Sequence, residues 1–310
     1  MSDVAARLVA AGMSATAAEM KETLYRLCAR ALHAQPVCAS FFVPGRIELL
    51  GKHTDYAGGR SLLCTIERGF MVLARPRADA IVRVTDAISG ETRELAFDGE
   101  SKAVPGDWPN YVATVVQRVA RNFPEAVRGA DIAFASNLPP ASGMSSSSAL
   151  IVAIFLALSA VNDLPNTALY RAAIDSPETL AMYLAAVENG QSLGALSGDR
   201  GVGTQGGSED HTAMLCCRAG HVSQYAFCPV RVERVIPFPS DYALIVAHSG
   251  VAAQKTGHAR DSYNSAAAAA QRIVRIWNEA TGRADQTLGS ALASEPAAVE
   301  RIRSALAEAR

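Results

Sequence analysis

Near the start of the chain, apolar residues recur at helical spacing. Met20, Leu24, Leu27, Cys28 and Ala31 fall on one face, and Thr16 with Glu19 has the form of a capping box. The period then shortens. "ASFFVPGRIELLG" reads as two short strands broken at Pro44–Gly45. "GFMVLARP", "AIVRVTDA" and "TRELAFD" read as an antiparallel meander with turns at Arg77–Asp79 and Ser89–Gly90. Helical spacing returns over Trp108–Asn122 and Ser146–Ala160, with a strand over Asp131–Ser136 between them, and again over Thr167–Ile174 and Glu178–Glu188. Gly190–Gly207 is glycine-rich and polar, which predicts a long loop. "HVSQYAFCPV", "VERVIPFP" and "YALIVAHSG" predict strands, Arg260–Glu279 a helix, and "PAAVERIRSALAEAR" a last helix with no C-capping glycine. Strand runs and helix runs are mixed without regular βαβ alternation, so the expected class is α+β and not a doubly wound sheet.

Composition narrows this picture. A chain of 310 residues buries a substantial core and is long for one domain, so two are expected. Hydrophobic content of 49% with 19% charged residues describes a globular chain. Lys+Arg of 29 against Asp+Glu of 30 leaves no basic excess to hold nucleic acid or an anionic membrane. The longest apolar run, "ALIVAIFLALSAV", has 13 residues, short of the ~20 that a membrane span needs. The six cysteines show no CxxC, and the N-terminus, with Asp3, shows no long apolar stretch. Reduced thiols in a cytoplasmic protein are the expectation.

Three stretches carry candidate chemistry. In "SNLPPASGMSSSSAL" a strand runs through two prolines into a loop of small residues and then an apolar helix. Small residues let the backbone approach an anion, the helix start offers unpaired N–H groups, and the serines offer hydroxyls to phosphate or Mg²⁺. A flexible Gly/Ser connector is the plainer alternative; the stretch is not a GxxxxGK[ST] loop. In "GTQGGSEDHTAM" glycines lead into Ser208, Glu209 and Asp210, either capping a helix or doing chemistry. In "PGRIELLGKHTDY" the permanently charged Arg46 suits phosphate or carboxylate, and His53 and Asp55 would share one face of an extended segment. A solvated polar turn is the alternative there. No His/Cys cluster has zinc spacing.

The order of these motifs resembles the GHMP small-molecule kinases, most closely their galactokinase branch. "PGRIELLGKHTDYAGG" is similar to the galactokinase signature, whose usual form has glutamate where this chain has Lys52. "LPPASGMSSSSAL" resembles the family's phosphate loop, and "AAVENGQSLG" the segment that supplies a metal-binding glutamate. "GGSEDH" resembles its Gly-Gly-x-x-Asp-Gln segment, with His211 in place of glutamine. The resemblance implies a ribosomal-protein-S5-like domain over residues 1–218 and a ferredoxin-like domain over 219–310, with the active site in the cleft between them. It implies ATP- and Mg²⁺-dependent phosphorylation of a sugar on its anomeric hydroxyl, by a monomer or homodimer with no nucleic-acid or membrane partner. Asp210 would accept or orient the hydroxyl proton, and Arg46 would hold Asp210 ionised and steady the transferred phosphoryl group. Pro139, Gly143, Ser145, Ser146, Ser147 and Ser148 would cradle ATP, with Ser146 and Glu188 on Mg²⁺. Lys52, His53, Asp55, Gly207 and Tyr263 would meet the sugar.

Departures from the pattern set further expectations. Lysine offers three donors, no acceptor and a full charge, so Lys52 points to an anionic substituent such as the carboxylate of galacturonate. A neutral galactose-like sugar, a silent sugar sensor, or a mevalonate or homoserine kinase are the alternatives. The Gly190–Gly207 loop, longer than the family pattern, would be a lid or an interface loop. The family's third, glycine-rich motif has no counterpart after Ser249, so a C-terminally shortened form with an incomplete second domain is expected.

Overall fold

The computed structural model describes residues 3–33, 36–98, 108–125, 128–139, 143–247 and 258–309. Two helices open the chain, α1 (Asp3–Ala10) and α2 (Ala15–Ala31), followed by strands β1 (Ala39–Leu50), β2 (Arg60–Pro76), β3 (Ile81–Asp86) and β4 (Thr92–Ala96). Helix α3 (Trp108–Asn122), strand β5 (Ala130–Ser136) and helices α4 (Ser146–Val161), α5 (Ala168–Ala173), α6 (Pro177–Asn189) and α7 (Glu209–Cys216) come next. Strands β6 (His221–Ala226) and β7 (Arg231–Pro237) precede helices α8 (His258–Thr281), α9 (Leu288–Ala293) and α10 (Ala298–Glu308).

Among the described residues, seven strands form one mixed sheet, ordered β4-β3-β5-β2-β6-β7 with β1 also on β2. The long β2 pairs with β5 through Phe70–Pro76 and with β6 through Arg60–Leu63. The β3–β5 pair is parallel and the others antiparallel. Alternation sorts the side chains into two faces. Val72, Val84, Ile132 and Phe134 pack with α3, α4 and α6 in the main core, while Leu73, Ala133 and Ala135 meet α2 on the opposite face. The 13-residue apolar run is the body of α4, hydrophobic all round and buried from Ile151 to Leu158 except at the partly exposed Leu156. Among the described residues no helix is long and apolar enough to cross a membrane.

Several local expectations change. The strand expected to break at Pro44–Gly45 continues through them as one strand with a bulge between Pro44 and Arg46. Helix α2 is capped by Ser14, whose hydroxyl accepts from Ala17 N–H at 3.3 Å, and not by Thr16, which lies inside the helix. No strand forms over Tyr242–Val246, whose apolar side chains are exposed; His248–Gly250 lie outside the described residues. The strand run after Arg218 shows no break from the first sheet, because β6 bonds directly to β2. After Pro237 the regular elements among the described residues are the helices α8, α9 and α10.

Candidate active site

The bulge in β1 re-aims Arg46 toward the start of α7. Its Nε donates to Asp210 Oδ1 at 2.6 Å, Nη2 lies 2.6 Å from the same oxygen, and Nη1 donates to the Gly143 carbonyl at 3.0 Å. One buried guanidinium therefore joins two sequence motifs, the acidic start of α7 and the small-residue loop before α4. Burial opposes its charge, but Asp210 and Glu209 outweigh that and hold it firmly protonated. Asp210 remains about one-fifth exposed, open to a substrate.

The loop before α4 is shaped for an anion. Gly143 adopts φ +73° with open space where a Cβ would be, and buried Ser145 is left-handed at φ +56°. A non-glycine residue there stores roughly 1–2 kcal/mol of strain, a feature that collects at functional loops. Helix α4 has no side-chain cap and no acidic residue in its first turn, so its N-terminal N–H groups keep their attraction for negative charge. Pro139 leads into this loop and Ser146 opens the helix, half-buried. The Ser147 hydroxyl bonds Tyr111. Ser148 donates to Glu188 Oε2 at 2.9 Å and lies 3.3 Å from Asp210 Oδ2. His211, where the resemblance leads to glutamine, places Nε2 3.2 Å from Glu188 Oε2.

Among the described residues no three His, Cys, Asp or Glu side chains converge into a metal cage. The oxygens of Glu188, Ser148 and Asp210 still suit Mg²⁺, which typically takes one or two carboxylates and completes its shell with water and nucleotide phosphate. The residues present fit both ATP phosphates and a magnesium ion.

The expected sugar wall takes a different form. His53 and Asp55 do not share an extended face, because the chain turns: His53 is left-handed at φ +60° and Asp55 begins a 3₁₀ turn. Asp55 is buried, and its Oδ2 accepts the Glu209 N–H at 3.1 Å, so it serves as the anion at the start of α7. Burial pushes the Asp55 carboxyl up; the N–H bonds from Glu209 and Tyr56 pull it back. Gly207 lies against this carboxylate so tightly that a Cβ would sit 2.1 Å from Oδ2. Ser208, the formal N-cap, makes no side-chain cap bond, and Glu209 after it is buried. The Lys52 side chain is 64% exposed, with Nζ 3.7 Å from Glu48 Oε2. Tyr263 falls in α8, but its side chain lies outside the described residues.

Two sets of residues went unread in the sequence. Glu48 and Ser61 stand beside Glu209: Ser61 Oγ donates to Glu209 Oε2 at 2.8 Å, and burial, with the Glu48 and Asp55 carboxyls nearby, pushes Glu209 up to about 9. The "RIE" spacing, which puts Arg46 and Glu48 on one face of a strand, was the available signal. The second set anchors Gly190–Gly207, which is tied down along its length and not hinged like a lid. Arg118 donates to the Ala186 and Gln191 carbonyls, Asn189 exchanges two 2.8 Å bonds with Gly206, and Asn264 of α8 bonds Gly203 and Gln205.

Comparison with known proteins follows the same lines. Residues 110–199 match the GHMP kinases N-terminal domain, and residues 30–76 match the galactokinase galactose-binding signature. The galactokinase of Glaesserella parasuis serovar 5 is 32% identical over 211 residues, 68% of this chain and 50% of that protein. That of Chloroflexus aggregans is 31% identical over 241 residues, 77% and 55%. This chain thus spans about half the length of the curated relatives it matches. The crystal structure of Lactococcus lactis galactokinase complexed with galactose superposes with a TM-score of 0.65 at 21% identity, over 92% of this chain and 70% of that one, and so shares its fold. With the phosphate-loop domain and the sugar signature both matched, the chain belongs to the GHMP kinases, on their galactokinase-like branch.

Proposed function

We propose that the chain carries the catalytic centre of an ATP- and Mg²⁺-dependent kinase that phosphorylates the anomeric hydroxyl of a galactose-like sugar. The observation that carries this reading is the Arg46 bridge, one buried cation bound to both Asp210 and the Gly143 carbonyl at the mouth of the anion-seeking loop. Phosphoryl transfer needs positioning and charge neutralisation more than covalent chemistry. Asp210 orients the sugar hydroxyl and takes its proton. Arg46 fixes Asp210 and faces the charge on the moving phosphoryl group. The first turn of α4 holds phosphate oxygens, and Glu188 with a serine hydroxyl holds the metal, which when bound neutralises phosphate charge.

The finer reading is an anionic sugar, with Lys52 meeting a carboxylate such as that of galacturonate. Its support is the exposure of Lys52, whose single 3.7 Å partner leaves donors for a ligand. A mismatched charge at such a site discriminates by up to ~10⁴. A coupled ADP-release assay over neutral sugars and uronic acids, on wild type and Lys52→Glu, tests both levels. The expected result is uronic-acid turnover by wild type and a shift toward galactose in the variant. Preference for galactose in both proteins discards the anionic reading. No sugar-dependent ADP release at all turns the chain into a sugar sensor.

A further inference from the structure

Lys21, on the face of α2 that packs against the sheet, is a buried cation with no ion pair. It is fully buried, and its Nζ has no hydrogen-bond partner among the described residues. The Phe42 ring, 5.4 Å away, replaces part of the lost hydration, but leaves three N–H donors without an oxygen. Burial and the charge of Arg68 lower Lys21 to about 8, with Glu67 pulling the other way, so it remains an ammonium at pH 7. Glu67 is itself engaged, since Ser14 donates to its two carboxylate oxygens from N–H and hydroxyl. Leaving a buried charge unpaired is costly, and a ligand that supplies the missing acceptor recovers that cost.

A cavity of about 540 Å³ lies next to this lysine, between the two N-terminal helices, β1, β2 and the end of α7. That is the size of pockets that hold small organic ligands. Leu8, Tyr25, Phe42, Ile66, Met71 and Met214 give it an apolar wall, in which the methionines can adapt to an occupant. Two of these residues tie Lys21 to the cavity: Phe42, the ring beside Nζ, and Tyr25, one turn further along the same face of α2. The charged residues of the wall are Arg7 and Glu67. Arg7 is exposed and its guanidinium has no partner among the described residues. With Glu67 engaged by Ser14, the unsatisfied charges at the cavity are both positive. None of the candidate active-site residues lines it. We propose that this cavity is a second binding site, which takes a small apolar carboxylic acid as its anion. The hydrocarbon lies against Tyr25, Phe42 and Met214, and the carboxylate accepts from Lys21. A neutral alcohol of the same shape gains the apolar wall and forgoes the charge-assisted bond, and an amine adds a third positive charge.

The test is calorimetric titration of the full chain at pH 7 with three probes of equal length: octanoate, octan-1-ol and octylamine. Octanoate is expected to bind one site per chain at least tenfold more tightly than either of the others. Lys21→Met keeps the unbranched apolar stem and removes the charge. It is expected to weaken octanoate tenfold or more and to leave octan-1-ol within about twofold. Ala11→Trp fills the cavity from its exposed rim and is expected to abolish octanoate binding. Thermal melts of each variant confirm that it is folded, and octanoate should raise the Tm of wild type but not of Ala11→Trp. No saturable octanoate binding by wild type, or an alcohol or amine that binds as well, overturns the proposal. An unchanged octanoate affinity in Lys21→Met removes the lysine from the site, and an unchanged affinity in Ala11→Trp places the ligand outside the cavity. Either result also overturns it. None of these measurements involves turnover, so they stand apart from the kinase reading.

Discussion

Gly206 and Gly207 are neighbours of the same residue type, and the structure gives them opposite tolerance. An alanine Cβ at Gly206 meets nothing within 4 Å. At Gly207 it would lie 2.1 Å from Asp55 Oδ2 and 2.3 Å from Cγ, where ordinary contact begins at 3.4 Å. The carboxylate would have to retreat by about 1.3 Å, the difference between those distances. That movement breaks the 3.1 Å bond from Glu209 N–H and strands a buried donor beside a buried charge. A charge-assisted hydrogen bond is worth ~1.5–3 kcal/mol, and an unsatisfied partner adds to the loss. Gly207→Ala is therefore expected to lose about 2–4 kcal/mol of stability, a fall in Tm of roughly 4–16 °C for a chain of this size. Gly206→Ala should remain within ~0.5 kcal/mol. On the proposed reading of Asp55 as a sugar contact, the KM for sugar should rise at least tenfold in Gly207→Ala alone. Thermal melts and sugar titrations of the two variants in parallel measure this. If Gly207→Ala matches Gly206→Ala in both, Asp55 does not pack on the Gly207 backbone and the account of the α7 start is wrong.

Two further predictions concern what holds the site from behind. Lys21 is fully buried, its Nζ without a hydrogen-bond partner among the described residues and 5.4 Å from the Phe42 ring centroid. Burial, reinforced by the charge of Arg68, lowers it from 10.5 to about 8. Between those values the unfolded chain holds the extra proton, so wild-type stability should rise as pH goes from about 8 toward 10.5. Lys21→Met should lack that rise and be more stable at pH 7 by about 1–2 kcal/mol, the shift having been discounted for solvent screening; urea melts at pH 7 and 9.5 check both signs. Arg118→Lys should lose about 2–4 kcal/mol and open Gly190–Gly207 to proteolysis, since a point charge cannot span the Ala186 and Gln191 carbonyls that the guanidinium bridges. Equal protease resistance in wild type and variant would show that the loop is anchored elsewhere.

Much of the fold was legible because its signals are local. The helix over Trp108–Asn122 begins and ends where the apolar spacing does, and α4 was marked by a continuous apolar run. Errors arose where tertiary context overrides a local signal. Pro44 and Gly45 read as a break, yet pairing with the uninterrupted β2 carries the strand across them at the cost of one bulge. Ser14 outcompetes Thr16 as the cap of α2 because Glu67, 53 residues on, accepts its hydroxyl proton at 2.9 Å and fixes it in place. "YALIVAH" has strand composition, but the described part of it has no neighbouring strand to complete a ladder.

The site divides in the same way. Arg46, Gly143, Ser148, Glu188 and Asp210 were read from motifs, and the structure brings them together. Pairings between motifs were not readable, and Lys52 shows why that matters. In the sequence it is a lysine where the signature has glutamate, and its charge is free to choose a substrate. In the structure it stands over Glu48, itself against Glu209, which borders Arg46. Substitution of Lys52 therefore alters two things together: the charge at the proposed sugar wall and the charge balance of the buried acids behind it. A change in substrate preference in Lys52→Glu bears on the sugar only if Glu48→Gln, which removes the partner and leaves the lysine, does not produce the same change.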